Sequence, residues 1–190
     1  MSTSRRRHLL EVAALVGTTY GLPLRAAPTG KAGSLDATRE LKWEELIPKA
    51  WDPAAGFRGR NTTILNDWDP KARRLMKEVQ DVWDHAPTVS TFNGLLVRLA
   101  GYVVPLDTVR DALKEFLLVP YFGACIHTPP PPVNQIVLVT PRTPAEGFRM
   151  MDTVWVSGLI TAVRDQTFAG TSGYRLDATT VERYTGTKGR

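Results

Sequence analysis

Residues 95–106 read LLVRLAGYVVPL, and this stretch decides the fold. Branched aliphatic residues dominate it, Asn93-Gly94 just before it is typical of a turn, and an apolar run bounded by turn residues predicts a strand. Gly101 lies inside the run, where a glycine permits the bend that a curved sheet requires. The stretch therefore predicts the first strand of a β domain.

Four further strands are predicted downstream, separated by turns rich in Gly and Pro. They are residues 114–119 (KEFLLV), 135–140 (QIVLVT), 153–161 (TVWVSGLIT) and 173–184 (GYRLDATTVERY). Gly158 permits a second bend. We expect residues 88–186 to form a five-stranded barrel like the oligonucleotide/oligosaccharide-binding (OB) fold, or a small sandwich.

Upstream, residues 39–87 predict a helical segment packed on the barrel. Asp69 is a suitable N-cap, Pro70 fits the first turn, and apolar residues then recur at helical spacing. These residues are Leu75, Met76, Val79, Val82 and Trp83. The stripe predicts core packing. The expected fold is thus mainly β with an N-terminal helical segment, in the α+β class.

Residues 1–27 have the pattern of an export signal. RRR at 5–7 precedes a weakly apolar stretch that ends in small residues. The paired arginines resemble a twin-arginine signal, and the alternative is an amphipathic helix lying on the domain. Residues 28–38 then form a linker, and no apolar run approaches the roughly 20 residues that span a bilayer. We expect a soluble periplasmic protein.

Charge and cysteine content exclude several classes of protein. Residues 1–27 hold four arginines and one acidic residue, so removing them lowers the net charge from +5 to +2. No long run of Lys and Arg remains, and we therefore expect no nucleic-acid partner. The single Cys excludes an intramolecular disulfide and a multi-cysteine zinc cage.

Residues 119–135, VPYFGACIHTPPPPVNQ, carry the strongest signal for chemistry. Cys125 and His127 share one face of an extended backbone, and thiolate and imidazole are ligands for zinc or copper. Two ligands do not complete a tetrahedral site, and His85 is a candidate third. The alternatives are a small buried Cys125 and a His85 placed by the helix dipole.

The same segment also predicts a metal-free docking module. Consecutive prolines fix the backbone and lose little entropy on binding, and aromatic residues stand beside them. The candidate partner-binding residues are Tyr121, Phe122, Pro129, Pro130, Pro131, Pro132, Asn134 and Gln135. No catalytic residues are assigned, because no nucleophile elbow, phosphate loop or metalloprotease motif occurs. A thiol enzyme or redox sensor at Cys125 is the third alternative.

Residues 116–135, with their FGACIHxPPPPxNQ signature, resemble a bacterial family of exported proteins of unknown function. The resemblance extends to residues 41–48 (LKWEELIP), 97–106 (VRLAGYVVPL) and 154–158 (VWVSG). Members are typically periplasmic, some lipid-anchored, and often encoded beside macrolide-exporter-type ABC permeases in clusters that are sometimes zinc-responsive. The resemblance implies an accessory of an envelope ABC transport system that binds zinc or copper through Cys125 and His127.

Overall fold

A computed structural model describes residues 38–59, 69–124 and 130–185 of the chain. In these ranges the protein is mainly β, as predicted, with six strands, one α-helix and three short 3₁₀ helices. The strands are β1 (Arg39–Glu40), β2 (Leu95–Val109), β3 (Ala112–Val119), β4 (Val137–Pro141), β5 (Thr153–Thr167) and β6 (Gly170–Arg183). The helices are α1 (Pro70–Asp84) and the 3₁₀ helices Trp43–Leu46, Ser90–Phe92 and Val133–Gln135. The five predicted strands correspond to β2 to β6.

All six strands belong to one sheet, in the order β1-β2-β3-β4-β6-β5, and β2 also pairs with β5. The pairings β1–β2 and β4–β6 are parallel, and the other pairings are antiparallel. The pairings thus run in a ring from β2 through β3, β4, β6 and β5 back to β2. Each strand of the ring has a partner on both sides, which satisfies backbone groups that an open edge would expose.

Two glycines hold the strands at close distance. A Cβ on Gly158 would lie 2.2 Å from the carbonyl oxygen of Asp177, and the β5–β6 register shifts between Ser157 and Gly158. A Cβ on Gly101 would lie 2.8 Å from a side-chain carbon of Leu118. Gly158 therefore marks an irregularity in its strand, whereas Gly101 makes room for a core side chain.

Alternate side chains of the ring form a first apolar cluster. Its buried strand residues are Val97, Leu99, Val103, Leu113, Phe116, Leu118, Val137, Val139, Val154, Val156, Ile160, Tyr174, Leu176 and Ala178. Leu41, Leu46 and Phe92, from the segment before β2, belong to the same cluster. The N-terminal segment thus contributes to the core through residues 41–46 and 92.

Hydrogen bonds attach this segment to the sheet. The hydroxyl of the fully buried Tyr174 accepts from Val89 N at 2.6 Å and donates to Leu46 O at 2.8 Å. The indole of Trp43 donates to Ala100 O at 2.7 Å. Burial raises the pKa of Tyr174 above its usual value of 10.0. These bonds satisfy backbone groups that would otherwise be unpaired away from water.

Helix α1 begins where the sequence predicts it. Asp69 caps it, since its carboxylate accepts from Lys71 N at 2.8 Å, and Pro70 occupies the first turn. None of the fifteen residues of α1 is buried, so the prediction that its apolar stripe is core packing is wrong. No residue of α1 belongs to either of the two buried apolar clusters.

The predicted export signal, residues 1–27, and nearly all of the predicted linker, residues 28–38, lie outside the described residues. In the described part of the chain, no helix has the length and hydrophobicity that crossing a bilayer requires.

Candidate functional site

A second apolar cluster lies on the opposite face of β3 from the first. Leu117 and Val119 belong to it, whereas Phe116 and Leu118 belong to the first cluster. Its other buried members are Val104, Ala124, Ile136 and Leu138, with Tyr102, Leu106, Met151 and Ala169 partly buried around them. The chain leaving β3 and the chain entering β4 therefore both pack on this face.

Residues 119–135 are described only at their two ends. Cys125, His127 and Pro129 fall within residues 125–129, which lie outside the described residues. Ala124 is fully buried in the second cluster, and Pro131 is buried at the far end. Ala124 is thus the last described residue before Cys125.

Tyr121 and Phe122 form the exposed part of the segment. Their exposed fractions are 44% and 70%. The ring of Phe122 meets Tyr102 edge-on, with centroids 6.0 Å apart and an interplanar angle of 80°. Gly123, at a φ of +82°, donates its N–H to Met151 Sδ at 3.4 Å. Tyr121 and Phe122 therefore lie at the margin of the second cluster with much of their surface in water.

The other end of the segment faces inward. Asn134 is fully buried and donates from Nδ2 to Pro87 O at 2.9 Å. Gln135 donates from Nε2 to Trp43 O at 2.9 Å. These two side chains therefore connect the segment before β4 to the N-terminal segment of the chain.

This arrangement corrects part of the predicted partner-binding set. Pro131 and Asn134 are buried within the chain, while Pro130, Pro132 and Gln135 are half-buried. The three described prolines do not stand out as a ridge, and residues 133–135 after them pack closely against β6. A Cβ on Gly173 would lie only 2.6 Å from Val133 O. The prediction is wrong for Pro131 and Asn134, whose side chains are turned away from solvent.

His85 is placed by the helix that it ends. It is the C-cap residue of α1, and its Nδ1 lies 2.7 Å from Asp81 O, so this nitrogen donates to the carbonyl. Only Nε2 is left for a ligand. Within the described ranges, no group of three or more His, Cys, Asp or Glu side chains is arranged to hold a metal ion.

A soft donor, the thioether of Met151, lies beside the described start of the segment. Its Sδ contacts the backbone of Gly123, two residues before Cys125. A thiolate, an imidazole and a thioether together form a donor set suited to Cu(I). Cys125 and His127 lie outside the described residues, so a zinc or copper ion at this segment stays a prediction.

A cleft that the sequence did not predict lies between residues 39–49 and 88–92. Its volume is about 770 Å³. Arg39 is ion-paired with Glu45 at its wall. The hydrogen bond from Lys42 N, together with the Arg39 charge, holds the pKa of Glu45 below its usual value. Glu44 and Lys49 add one charge of each sign, so the charged residues of the lining sum to zero.

The described residues define the class of protein as a mainly β domain. Its distinctive feature is the segment 119–135, which is partly exposed. The sequence matches the family described as "Protein of unknown function (DUF3299)" over residues 43–183. The chain belongs to this family. The predicted resemblance to an unknown-function family is thereby confirmed, whereas the genomic neighbourhood, the zinc response and the signature stay predictions.

Solved structures include a relative. A DUF3299 family protein from Pseudomonas aeruginosa PAO1 is 34% identical, covering 80% of this chain and 99% of that chain, with a TM-score of 0.62. A small single-stranded DNA-binding protein from Streptomyces coelicolor is 18% identical over 49% of this chain and 96% of that chain, with a TM-score of 0.32. No curated protein matches the sequence.

Proposed function

We propose that this protein is a periplasmic interaction module, an accessory of an envelope ABC transport system, that docks onto the permease through Tyr121 and Phe122. The observation that carries the proposal is the 70% exposure of Phe122, a large apolar ring held in place by Tyr102 and by the neighbouring Gly123. An aromatic side chain that is already positioned loses little entropy on binding, and such residues dominate binding energy.

We also propose that the ring of strands β2 to β6 is an OB-like barrel. The support is the ring of pairings, parallel only between β4 and β6. OB folds bind oligonucleotides on the face of their second and third strands, which here are β3 and β4. That face holds Leu117, Val119 and Leu138, which the second cluster buries. The proposed partner is therefore a protein, with no nucleic acid.

The test is crosslinking from a photoreactive residue placed at position 122 in cells. Phe168 provides a matched control, because it is 84% exposed at the turn between β5 and β6. Position 122 should crosslink to the permease and position 168 should not. Phe122→Ala should lower capture by the permease at least tenfold, and Phe168→Ala should leave it unchanged. Equal crosslinking from both positions would contradict the proposal.

A second candidate function is metal binding through Cys125 and His127, and the position of Met151 favours it. The thioether lies against Gly123, so we propose that it joins Cys125 and His127 in holding Cu(I), with zinc as the weaker alternative. Bound copper would supply a soft cation for transfer to a partner. Cys125 must be a thiolate to bind, so affinity should fall as the pH drops.

Metal analysis distinguishes these ions. Cys125→Ala and His127→Ala should both lose copper, and Met151→Leu, which keeps the apolar volume, should lose affinity for Cu(I) while changing zinc binding little. No metal in the parent protein after incubation with zinc or Cu(I) would exclude this second function. Rapid alkylation of Cys125 in metal-free protein would instead favour the thiol enzyme or redox sensor.

A further inference from the structure

The cleft between residues 39–49 and 88–92 is separate from the segment that the proposed docking uses. Its first wall comes from β1 and the residues after it, and its second wall comes from the residues that precede β2. Its volume of about 770 Å³ lies within the roughly 300–1,000 Å³ that small-molecule sites have. The cleft is therefore large enough to take a small organic ligand.

Side chains from other parts of the fold fix the two walls relative to each other. The hydroxyl of Tyr174 bonds to Val89 N on the second wall and to Leu46 O beside the first. The amides of Asn134 and Gln135 donate to carbonyl oxygens next to each wall. The cleft is thus formed before a ligand arrives, and binding to such a site costs little in ordering the protein.

Arg39 is held in one orientation on the first wall. Its backbone lies in β1 and pairs with Val97 of β2. Its guanidinium is ion-paired with Glu45 and lies over the ring of Phe92, 5.2 Å from the centroid. A guanidinium carries five N–H donors, and the bond to Glu45 comes from one nitrogen, so donors remain for a carboxylate. The side chain is 52% exposed, so a ligand can reach it.

Glu45 is occupied by contacts within the chain. Its Oε1 accepts from Arg39 and its Oε2 accepts from Lys42 N at 3.0 Å. With Arg39 and Glu45 paired to each other, Glu44 and Lys49 add one exposed charge of each sign to the lining. A ligand that complements the cleft therefore carries one negative and one positive group.

We propose that this cleft binds a short peptide with free amino and carboxyl ends. The carboxylate of the peptide bonds to Arg39 and Lys49, and its ammonium group pairs with Glu44. The second wall offers hydroxyl groups to the peptide bonds of the ligand, from Thr88, Ser90 and Thr91.

Other small ligands complement the described lining less well. A multiply charged anion would be repelled by Glu44, which no second cation offsets once Lys49 is engaged. Sugars commonly pack on an exposed aromatic ring. Phe92 is the aromatic residue of the described lining, and it is only 7% exposed and lies under the guanidinium of Arg39. The lining therefore favours a zwitterionic peptide.

The test is calorimetric titration of the protein with two tripeptides, tri-alanine and Ala-Leu-Ala. We expect at least one to bind with a dissociation constant below about 1 mM. Amidation of the carboxyl end and acetylation of the amino end should each weaken binding at least tenfold, because each removes a charge-assisted hydrogen bond.

Two variants assign the ends of the peptide. Arg39→Ala should weaken binding of the free peptide at least tenfold and change binding of the amidated peptide little, since that peptide has no carboxylate to lose. Glu44→Gln should do the same with the acetylated peptide. Arg175→Ala is the matched control, because Arg175 is an exposed arginine paired with Asp165 on the neighbouring strand, and it should leave the affinity unchanged. Circular dichroism confirms that each variant is folded.

Three results would overturn the proposal. The first is no binding of either tripeptide at concentrations up to about 10 mM. The second is equal binding of the free peptide and the peptide blocked at both ends, which would make the cleft a site for neutral ligands. The third is an Arg39→Ala variant that loses the free and the amidated peptide equally, which would mean that Arg39 shapes the cleft without contacting the carboxylate.

Discussion

The two ends of the segment 119–135 have opposite environments. At the first end, Tyr121 and Phe122 are exposed at the margin of the second cluster. At the second end, Asn134 and Gln135 donate to carbonyl oxygens of Pro87 and Trp43. A stretch that stands out in the sequence thus combines residues available to a partner with residues that hold the chain together. Phe122, the more exposed residue of the first end, should therefore tolerate substitution better than Asn134.

Within the segment, the largest effect is expected from Asn134→Asp. The change replaces the Nδ2 donor by an oxygen that faces Pro87 O, and it buries a carboxylate. A buried charge without a partner costs about 3–5 kcal/mol, so the free energy of unfolding should fall by about 3 kcal/mol at neutral pH. Urea unfolding measures it, and part of the loss should be recovered as acid protonates the new carboxyl.

Asn93→Asp is the matched control. Asn93 is exposed, and its Oδ1 accepts from Ala162 N at 2.7 Å, a role that a carboxylate oxygen fills equally well. Its free energy of unfolding should stay within about 0.5 kcal/mol of the parent's. If both substitutions cost the same, burial of Asn134 does not explain its presence in the segment.

Tyr174→Phe tests the attachment of the N-terminal segment from the side of β6. The change leaves Val89 N without its acceptor and Leu46 O without its donor, and we expect a loss of about 2 kcal/mol in the free energy of unfolding. Urea unfolding at neutral pH measures this loss. A change below about 0.5 kcal/mol would show that these bonds add little to the packing of Leu46.

The same variant has a pH signature. Burial raises the pKa of Tyr174 in the folded protein, so the folded state holds this proton more tightly than the unfolded state. The resulting stability is fully present below the unfolded pKa of about 10 and is lost as the pH rises through the folded pKa. The parent should therefore lose more stability above pH 10 than Tyr174→Phe does. Parallel curves for the two proteins would contradict this.

A smaller effect is expected from Gln135→Ala, since Gln135 is only half-buried. Its loss leaves Trp43 O without the Nε2 donor, and we expect a decrease of about 1 kcal/mol in the free energy of unfolding. Gln135→Glu keeps the size and removes the donor, so it should be at least as destabilising. A neutral Gln135→Glu would show that packing, rather than the hydrogen bond, accounts for the residue.

The strands could be predicted because their signal is local. The run at 114–119 ends in four apolar residues and lies between turn residues, and it forms most of β3. The pairings could not be predicted in the same way, because Leu95 pairs with Ile160 far along the chain. The exposure of α1 also could not be predicted, since an apolar helix face has the same spacing whether it contacts the core or solvent.

The candidate site could likewise be predicted only in part, because some of its contacts join residues far apart in the chain. The sequence singled out residues 119–135, but the partners of Asn134 and Gln135 lie 47 and 92 residues upstream, so no local pattern showed that these amides are structural. The contact between Gly123 and Met151 spans 28 residues and was missed as well. A distinctive local stretch therefore located the site, and only the fold separated its buried members from its exposed ones.

The smallest effect on stability is expected from Phe122→Ala. This variant tests most directly whether the two ends of the segment differ. The ring is largely in water and meets the protein through one edge contact with Tyr102, so the free energy of unfolding should change by less than about 0.5 kcal/mol. Phe116→Ala, on the fully buried ring of β3, should cost about 3–5 kcal/mol in the same urea experiment. If Phe122→Ala lowered the free energy of unfolding by more than about 1.5 kcal/mol, both ends of the segment would contribute to stability. A small cost would leave the ring of Phe122, already positioned beside Tyr102, available to a partner, as the proposed docking requires.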